Sequence, residues 1–264
     1  MAVVRKLRGF HLLEAPILSA YCGDCNRAGI YVYITRIAIY GFKIRSLEFQ
    51  FGLEFSKNER LRSVEYMPQS QSANDDKQCI LVASESCLYI VELRLAVDTS
   101  QYYDAEVVKT ISFSSNPKSG VAKGKEAITL ARWSPYDAGI VYGGTDRGSV
   151  FTCSAINDTK ISFLNIPNRA DIPRSVTSLA FSANDKLMAV GGISGYCVTF
   201  SVSSGKLRAV HHCSDLYSDV SSIAFAPTTF DAPSILGMHL GHPPCSSAEE
   251  HEASGITCGV VSSL

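Results

Sequence analysis

The stretch SLAFSANDKLMAVGGISGYCVTFSVSSGKL, residues 178–207, decides the reading of this chain. An alternating apolar strand ends at Phe181, a polar turn follows at Ser182–Lys186, and LMAVGG leads into a Ser-Gly tight turn at 194–195. A second alternating strand fills 196–202 before a Ser-Ser-Gly turn. Short alternating runs separated by turn chemistry specify antiparallel β-structure. The same order returns in TLARWSPYDAGIVYGGTDRGSVFTCSAIND, residues 129–158, with Trp133 in the place of Phe181, Gly143-Gly144 in that of Gly191-Gly192, and Gly148 in that of Gly195.

Working outward, VSSIAFAP (220–227) sets Phe225 at the same anchor, and RLRSVEYMPQ sets Tyr66 there, followed after an insertion by QCILVASESCLYIVEL (78–93). GIYVYITRIAIYGFKI (29–44) reads as two strands of an incomplete copy. The anchors Trp133, Phe181 and Phe225 are spaced by 48 and 44 residues. Four short strands per unit at that period predict an all-β WD-repeat β-propeller, with the WD dipeptide replaced by Phe200-Ser201 and Cys153-Ser154. The glycine pairs are expected where sheets approach closely and a side chain would collide. The anchor aromatics, the single Trp133 included, are expected to pack between neighbouring sheets rather than to hold a ligand.

About three full units and two partial ones are fewer than a seven-bladed ring needs, so the propeller is expected to be incomplete and the chain to be part of a larger assembly or gene product. The organisation reads as a basic segment at 1–16, propeller blades over 17–227, an acidic, proline-containing insertion at 228–255, and the start of an interrupted strand at 256–264. Two inserts break the repeats, Gln69–Lys77 and Val97–Lys125, the second beginning as a strand at TISFSS.

The 264 residues carry 24 Lys and Arg against 25 Asp and Glu, which excludes a uniformly basic nucleic-acid coat but conceals a gradient. Residues 1–60 hold nine basic and five acidic side chains, whereas residues 209–264 hold six acidic and none basic. Nine cysteines, an odd number in a long chain, read as reduced intracellular thiols. The apolar stretch near the start is broken by Arg8, His11 and Glu14, too short for a signal core, and no uncharged apolar run reaches the roughly 18 residues that cross a bilayer. No membrane association is expected.

A catalytic motif is not found: Gly-x-Ser-x-Gly, a phosphate-cradling loop with Lys and Ser/Thr, His-Glu-x-x-His and a helix-opening Gly-x-Gly-x-x-Gly are all missing. No enzyme activity, cofactor or small-molecule substrate is expected. Cys22-x-x-Cys25 and His239-x-x-His242-x-x-Cys245 have zinc-ligand spacing, yet read better as small residues beside a strand and as loop polarity. Tyr21 precedes the first strand outside its alternation, and Arg36 falls in the turn of YITRIA. Such a pair can stack a base and hold a phosphate, while a plain surface tyrosine and turn arginine remain the simpler reading.

The order of segments carries a resemblance. AYCGDC, the strand pair with its arginine, LARWSPYDAGIVYGGTDRGSVF, IPRSVTSLAFSANDKLMAVGGISGYCVTFSVSSGKL, SDVSSIAFAP and a following acidic insertion together resemble the amino-terminal WD-repeat region of the fifth Gemin proteins, over most of residues 17–227. These are the large RNA-recognising subunits of the survival-of-motor-neuron complex. The resemblance implies binding of small nuclear RNA at its uridine-rich Sm site, delivery for Sm-core assembly, partners within that complex, and a cytoplasmic and nuclear location. It places Tyr21 on the tyrosine of the family's aromatic pair and Arg36 on an arginine that contacts the RNA. Ala20 stands where the family has a stacking tryptophan, a loss of about 1–3 kcal/mol on the general scale of base–aromatic stacking. The alternative is a WD-repeat scaffold of another intracellular complex that binds proteins through its propeller surface.

Overall fold

Alternating apolar and polar residues account for several of the strands among the residues that the structure describes. In the computed structural model those residues are 5–6, 30–44, 46–56, 58–68, 78–95, 103–114, 126–156, 160–164, 175–182, 186–204, 206–212, 220 and 222–225. Tyr21, the cysteine and histidine pairs, and the segments 228–255 and 256–264 lie outside them. The chain divides into two compact units, residues 1–164 with 174–176, and residues 165–173 with 177–264.

The first unit contains three four-stranded antiparallel sheets. The first sheet has the order β1-β4-β3-β2, from β1 (Arg5–Lys6), β2 (Ile30–Ile34), β3 (Ala38–Lys43) and β4 (Phe49–Glu54). The second runs β5 (Leu61–Tyr66), β6 (Gln78–Ser84), β7 (Cys87–Leu95) and β8 (Tyr103–Ser112) in sequence order. The third is β12-β11-β10-β9, built from β9 (Ile128–Trp133), β10 (Ile140–Thr145), β11 (Val150–Ser154) and β12 (Ser162–Phe163). The second unit holds, apart from Val176, the sheet β13 (Val176–Phe181), β14 (Leu187–Gly192), β15 (Tyr196–Ser201) and β16 (Leu207–His212), in that order.

Within the first unit, each sheet buries an apolar face on the next. Ile30, Val32, Ile34, Leu53 and Phe55 of the first sheet meet Leu61, Val64, Ile80 and Tyr89 of the second in one core cluster. The Phe55 and Tyr89 rings bridge these sheets with centroids 4.8 Å apart. A second cluster joins Leu81, Leu88 and Ile111 to Ile128, Trp133 and Phe151 of the third sheet. Full burial of a side chain such as Phe55 or Phe151 contributes roughly 1.5–3 kcal/mol. Tyr66 and Trp133 are buried within these two clusters, as inter-sheet anchors should be, while Phe181 and Phe225 are half-buried.

The incomplete copy at 29–44 is larger than its sequence suggests. Phe49–Glu54 adds a third strand, and the outer edge is covered by β1, whose Arg5 and Lys6 pair with Glu54 and Leu53. The direction of β2 identifies its place. β5 and β9 run side by side in the same sense, because Ser63 accepts the Ala131 N–H at 3.1 Å and Glu65 accepts the Trp133 N–H at 2.6 Å. β2 and β5 run in opposite senses: the Leu61 N–H donates to the Arg36 carbonyl beyond the end of β2 at 2.8 Å, while the Tyr66 hydroxyl donates to the Ile30 carbonyl at its start at 3.2 Å. Neighbouring antiparallel strands alternate in direction, so β2 occupies the second-strand position of its sheet, the counterpart of β6 and β10 rather than of β5 and β9.

The glycines are required by close approach, though the colliding partner differs from place to place. A side chain at Gly41 or Gly143 would strike the ring of Phe51 or Phe151 on the adjacent strand of its own sheet. One at Gly144 would strike Val176, and one at Gly191 would strike Val220, Ser178 and Ile223. Within the second unit, Val220 and Ile223 thus lie against β14, and the Val220 N–H donates to the Gly192 carbonyl at 3.1 Å. The fifth repeat start takes up its place there.

The strand expected to begin at TISFSS starts seven residues earlier, at Tyr103. Val107, Lys109 and Ile111 have cross-strand partners on β7 throughout, including a bulge between Ile90 and Val91.

Candidate functional site

One rim of the first unit gathers its turns and the entries to its inner strands. It carries the β2–β3 turn (35–37), the β6–β7 turn (85–86), the β10–β11 turn (146–149), and the residues leading into β5 and β9. Backbone hydrogen bonds string these pieces together. Leu61 N–H donates to Arg36 C=O at 2.8 Å, Glu85 N–H to Arg60 C=O at 3.0 Å, Ile128 N–H to Glu85 C=O at 3.0 Å, and Asp146 N–H to Ala127 C=O at 2.9 Å.

The same lock shapes two of the turns. Ser84 closes β6; its hydroxyl accepts the Ser86 and Cys87 N–H groups at 3.3 and 2.9 Å and donates to the Glu59 carboxylate at 2.5 Å. Ser86 donates to the same carboxylate at 2.8 Å. Thr145 closes β10; its hydroxyl accepts the Ser149 N–H at 3.0 Å and donates to the buried Glu126 carboxylate at 2.7 Å. Gly148 completes that turn at φ +77°, a conformation glycine adopts without strain. In the first sheet the lock is local: Thr35 Oγ1 accepts the Ala38 N–H at 3.0 Å.

These contacts occupy the acidic side chains of the rim. Glu59 is taken by the two serines, Glu126 by Thr145, and Asp146 by the Ala127 N–H at 2.9 Å. Glu85 pairs with Arg62 and, at 3.9 Å, with Arg60. Burial first, then the nearby Cys87 thiol and Glu59 carboxylate, push the Tyr89 phenol well above its ordinary range. Arg36 and Arg147 are exposed and make no ion pair among the described residues. The rim therefore presents guanidinium groups outward over carboxylates that are already engaged.

Arg36 thus sits in an exposed turn, as its sequence context suggests. Tyr21 lies outside the described residues, so the two are not brought together by them. Sequence reading alone missed Arg147, Arg60 and the locks. Their signal is a glutamate two residues ahead of each buried inner-strand aliphatic, Glu59 before Leu61 and Glu126 before Ile128, matched to a hydroxyl residue at the end of the second strand. No group of three or more His, Cys, Asp or Glu side chains among the described residues could hold a metal ion.

Away from the rim, Glu65 ties β5 to β9, accepting from Arg132 Nε at 2.9 Å and from the Trp133 N–H. Burial raises its carboxyl above the usual glutamate value, an effect the Arg132 charge and both hydrogen bonds only partly offset. This is a clamp between sheets.

Four-stranded antiparallel sheets packed face to face, with inner strands side by side and repeat anchors at their junctions, define an incomplete β-propeller of the WD-repeat kind. Among solved structures, the crystal structure of Saccharomyces cerevisiae Sqt1, a WD-repeat protein, is similar to it with a TM-score of 0.54 at 13% sequence identity, over 75% of this chain and 50% of Sqt1. The chain thus spans half the length of that protein. No family model matches the sequence, and no curated protein matches it.

Proposed function

We propose that this chain is a recognition module without catalytic activity, whose turn rim binds small nuclear RNA at a uridine-rich site for delivery to Sm-core assembly, in the cytoplasm and nucleus. The observation that carries the proposal is the electrostatic division of the rim. Its carboxylates are engaged by Ser84, Ser86, Thr145, the Ala127 N–H and Arg62, whereas Arg36 and Arg147 are exposed to an incoming polyanion. The resemblance to the fifth Gemin proteins supplies the class of RNA, and Arg36 falls on that family's RNA-contacting arginine. Tyr21 is proposed as the stacking partner of a splayed base.

Filter binding of the full chain to uridine-rich Sm-site RNA and to a scrambled RNA of equal length, at fixed salt, tests this. Preferential retention of the Sm-site RNA is expected, and Tyr21→Ala should erase the preference. Equal affinity for the two RNAs contradicts specific recognition.

A second reading, a scaffold that binds proteins, is favoured by Leu47 and Ile44, apolar side chains exposed at 72% and 39% around the β3–β4 turn. It predicts that pull-downs recover proteins without small nuclear RNA and that Arg36→Gln changes nothing in them.

A further inference from the structure

We infer that Arg147 is a second contact for the RNA backbone, acting with Arg36 across three consecutive sheets as a phosphate-reading strip that carries no sequence information. This rests on the RNA-binding reading above and adds a residue that neither repeat pattern nor family resemblance singles out.

Three observations carry it. First, the turns are counterparts. Because β2 lies in the second-strand position, 35–37 in the first sheet, 85–86 in the second and 146–149 in the third all link second to third strands, and the backbone hydrogen bonds from Leu61 to Arg36 and from Ile128 to Glu85 repeat the same join. Second, Arg147 is presented on a fixed turn. Thr145 N–H donates to the Ser149 carbonyl at 3.0 Å, the Thr145 hydroxyl accepts the Ser149 N–H, and Gly148 N–H donates back to the Thr145 carbonyl at 3.2 Å. A pre-ordered turn loses little conformational freedom when its side chain meets a ligand. Third, the neighbouring charge does not compete. Asp146 is directed to the Ala127 N–H, and Glu126 is buried beneath the turn against Thr145. Between the two arginines lies Glu85, outnumbered by Arg60 and Arg62. From Arg36 to Arg147 the rim offers cations over satisfied carboxylates, which suits a phosphodiester chain.

Each arginine that neutralises a phosphate of single-stranded RNA adds about 0.7 to the slope of log affinity against log salt. The experiment measures binding of uridine-rich and scrambled RNA to the full chain across a salt series of about 50–200 mM, for the wild type, Arg36→Gln, Arg147→Gln and the double variant. Arg94→Gln, at the far end of β7 and already paired with Glu92, serves as the control. The slope should fall by about 0.7 for Arg147→Gln and twice that for the double variant, a loss of about fivefold per arginine near 0.1 M salt. The loss should be the same for both RNAs, and thermal unfolding should be unchanged because the side chain is exposed.

If Arg36→Gln weakens binding while Arg147→Gln leaves affinity and slope at wild-type values, the strip is wrong and the RNA-binding reading stands. If Arg147→Gln affects only the uridine-rich RNA, its role is base reading and the backbone assignment fails. If the wild type retains neither RNA at low salt, both readings fall together.

Discussion

Across the second and third sheets, β5 and β9 run in the same direction, and the Glu65 carboxylate receives the Arg132 guanidinium and the Trp133 N–H between them. Across the first and second sheets, β2 and β5 run in opposite directions, and the ties at these two strands are neutral, the Tyr66 hydroxyl to Ile30 and the Leu61 N–H to Arg36, while an exposed ion pair, Lys6 to Asp104 at 2.5 Å, joins the outer strands β1 and β8. Both junctions bury a repeat-anchor aromatic in an apolar cluster. Direction, rather than strand count, reveals that the first sheet meets its neighbour through a second-position strand. The part-buried charged tie lies where two inner strands run in parallel, whereas the charged pair of the other junction is at the exposed outer edge.

The comparison can be broken most severely at the anchor of the parallel junction. Trp133→Ala should lose about 3–5 kcal/mol by denaturant unfolding, since the ring is nearly fully buried between sheets and leaves a cavity. A loss below about 1 kcal/mol would mean that the third sheet is not anchored there.

Glu65→Gln probes the charged tie. The amide keeps one acceptor of the two and sets an NH2 against the other donor, for an expected loss of about 1–2 kcal/mol that shrinks toward neutral pH, where the ionised wild-type carboxylate bears the cost of burial. The pH dependence has a definite sign. Burial raises the folded-state value above the ordinary glutamate value of 4.5, so the folded state binds the proton more tightly than the unfolded chain. Its contribution is therefore complete below 4.5 and declines as pH rises from there through the raised value. Urea midpoints across that window should show this decline in the wild type and not in Glu65→Gln; parallel profiles would remove Glu65 as the source.

The smallest effect belongs to the neutral tie between β2 and β5. Tyr66→Phe removes one hydroxyl donated to a backbone carbonyl, worth about 0.5–1.5 kcal/mol, with no change in pH dependence. A loss as large as that of Trp133→Ala would erase the distinction between the junctions.

The repeats of 129–158 and 178–207 were legible because alternation, Gly-Gly pairs and tight-turn glycines recur there in order, and β9–β11 and β13–β15 follow them. The same logic placed Val220 and Ile223 at the start of a further unit. Other elements depend on distant partners. β1 is two charged residues with no pattern of its own, made a strand by the free edge of β4. The first part of β8 is polar, and its pairing with β7 rather than its composition makes it extended. At the rim, Arg36 was legible from its turn, whereas the carboxylate locks join residues 25 and 19 positions apart, so the glutamate two residues ahead of Leu61 or Ile128 signals only one half of each. Arg147 becomes conspicuous only after Asp146 and Glu126 are seen to be engaged elsewhere.

The rim rests on the second-strand position of β2, and native-state amide exchange tests it directly. Leu61 and Ile128 are the first residues of two inner strands, and each donates its N–H to a second-to-third-strand turn of the preceding sheet, at 2.8 and 3.0 Å. Both amides should be protected to a similar degree, well beyond an exposed turn amide. Protection of Ile128 with free exchange at Leu61 would separate the Arg36 turn from the other two and contradict the common rim.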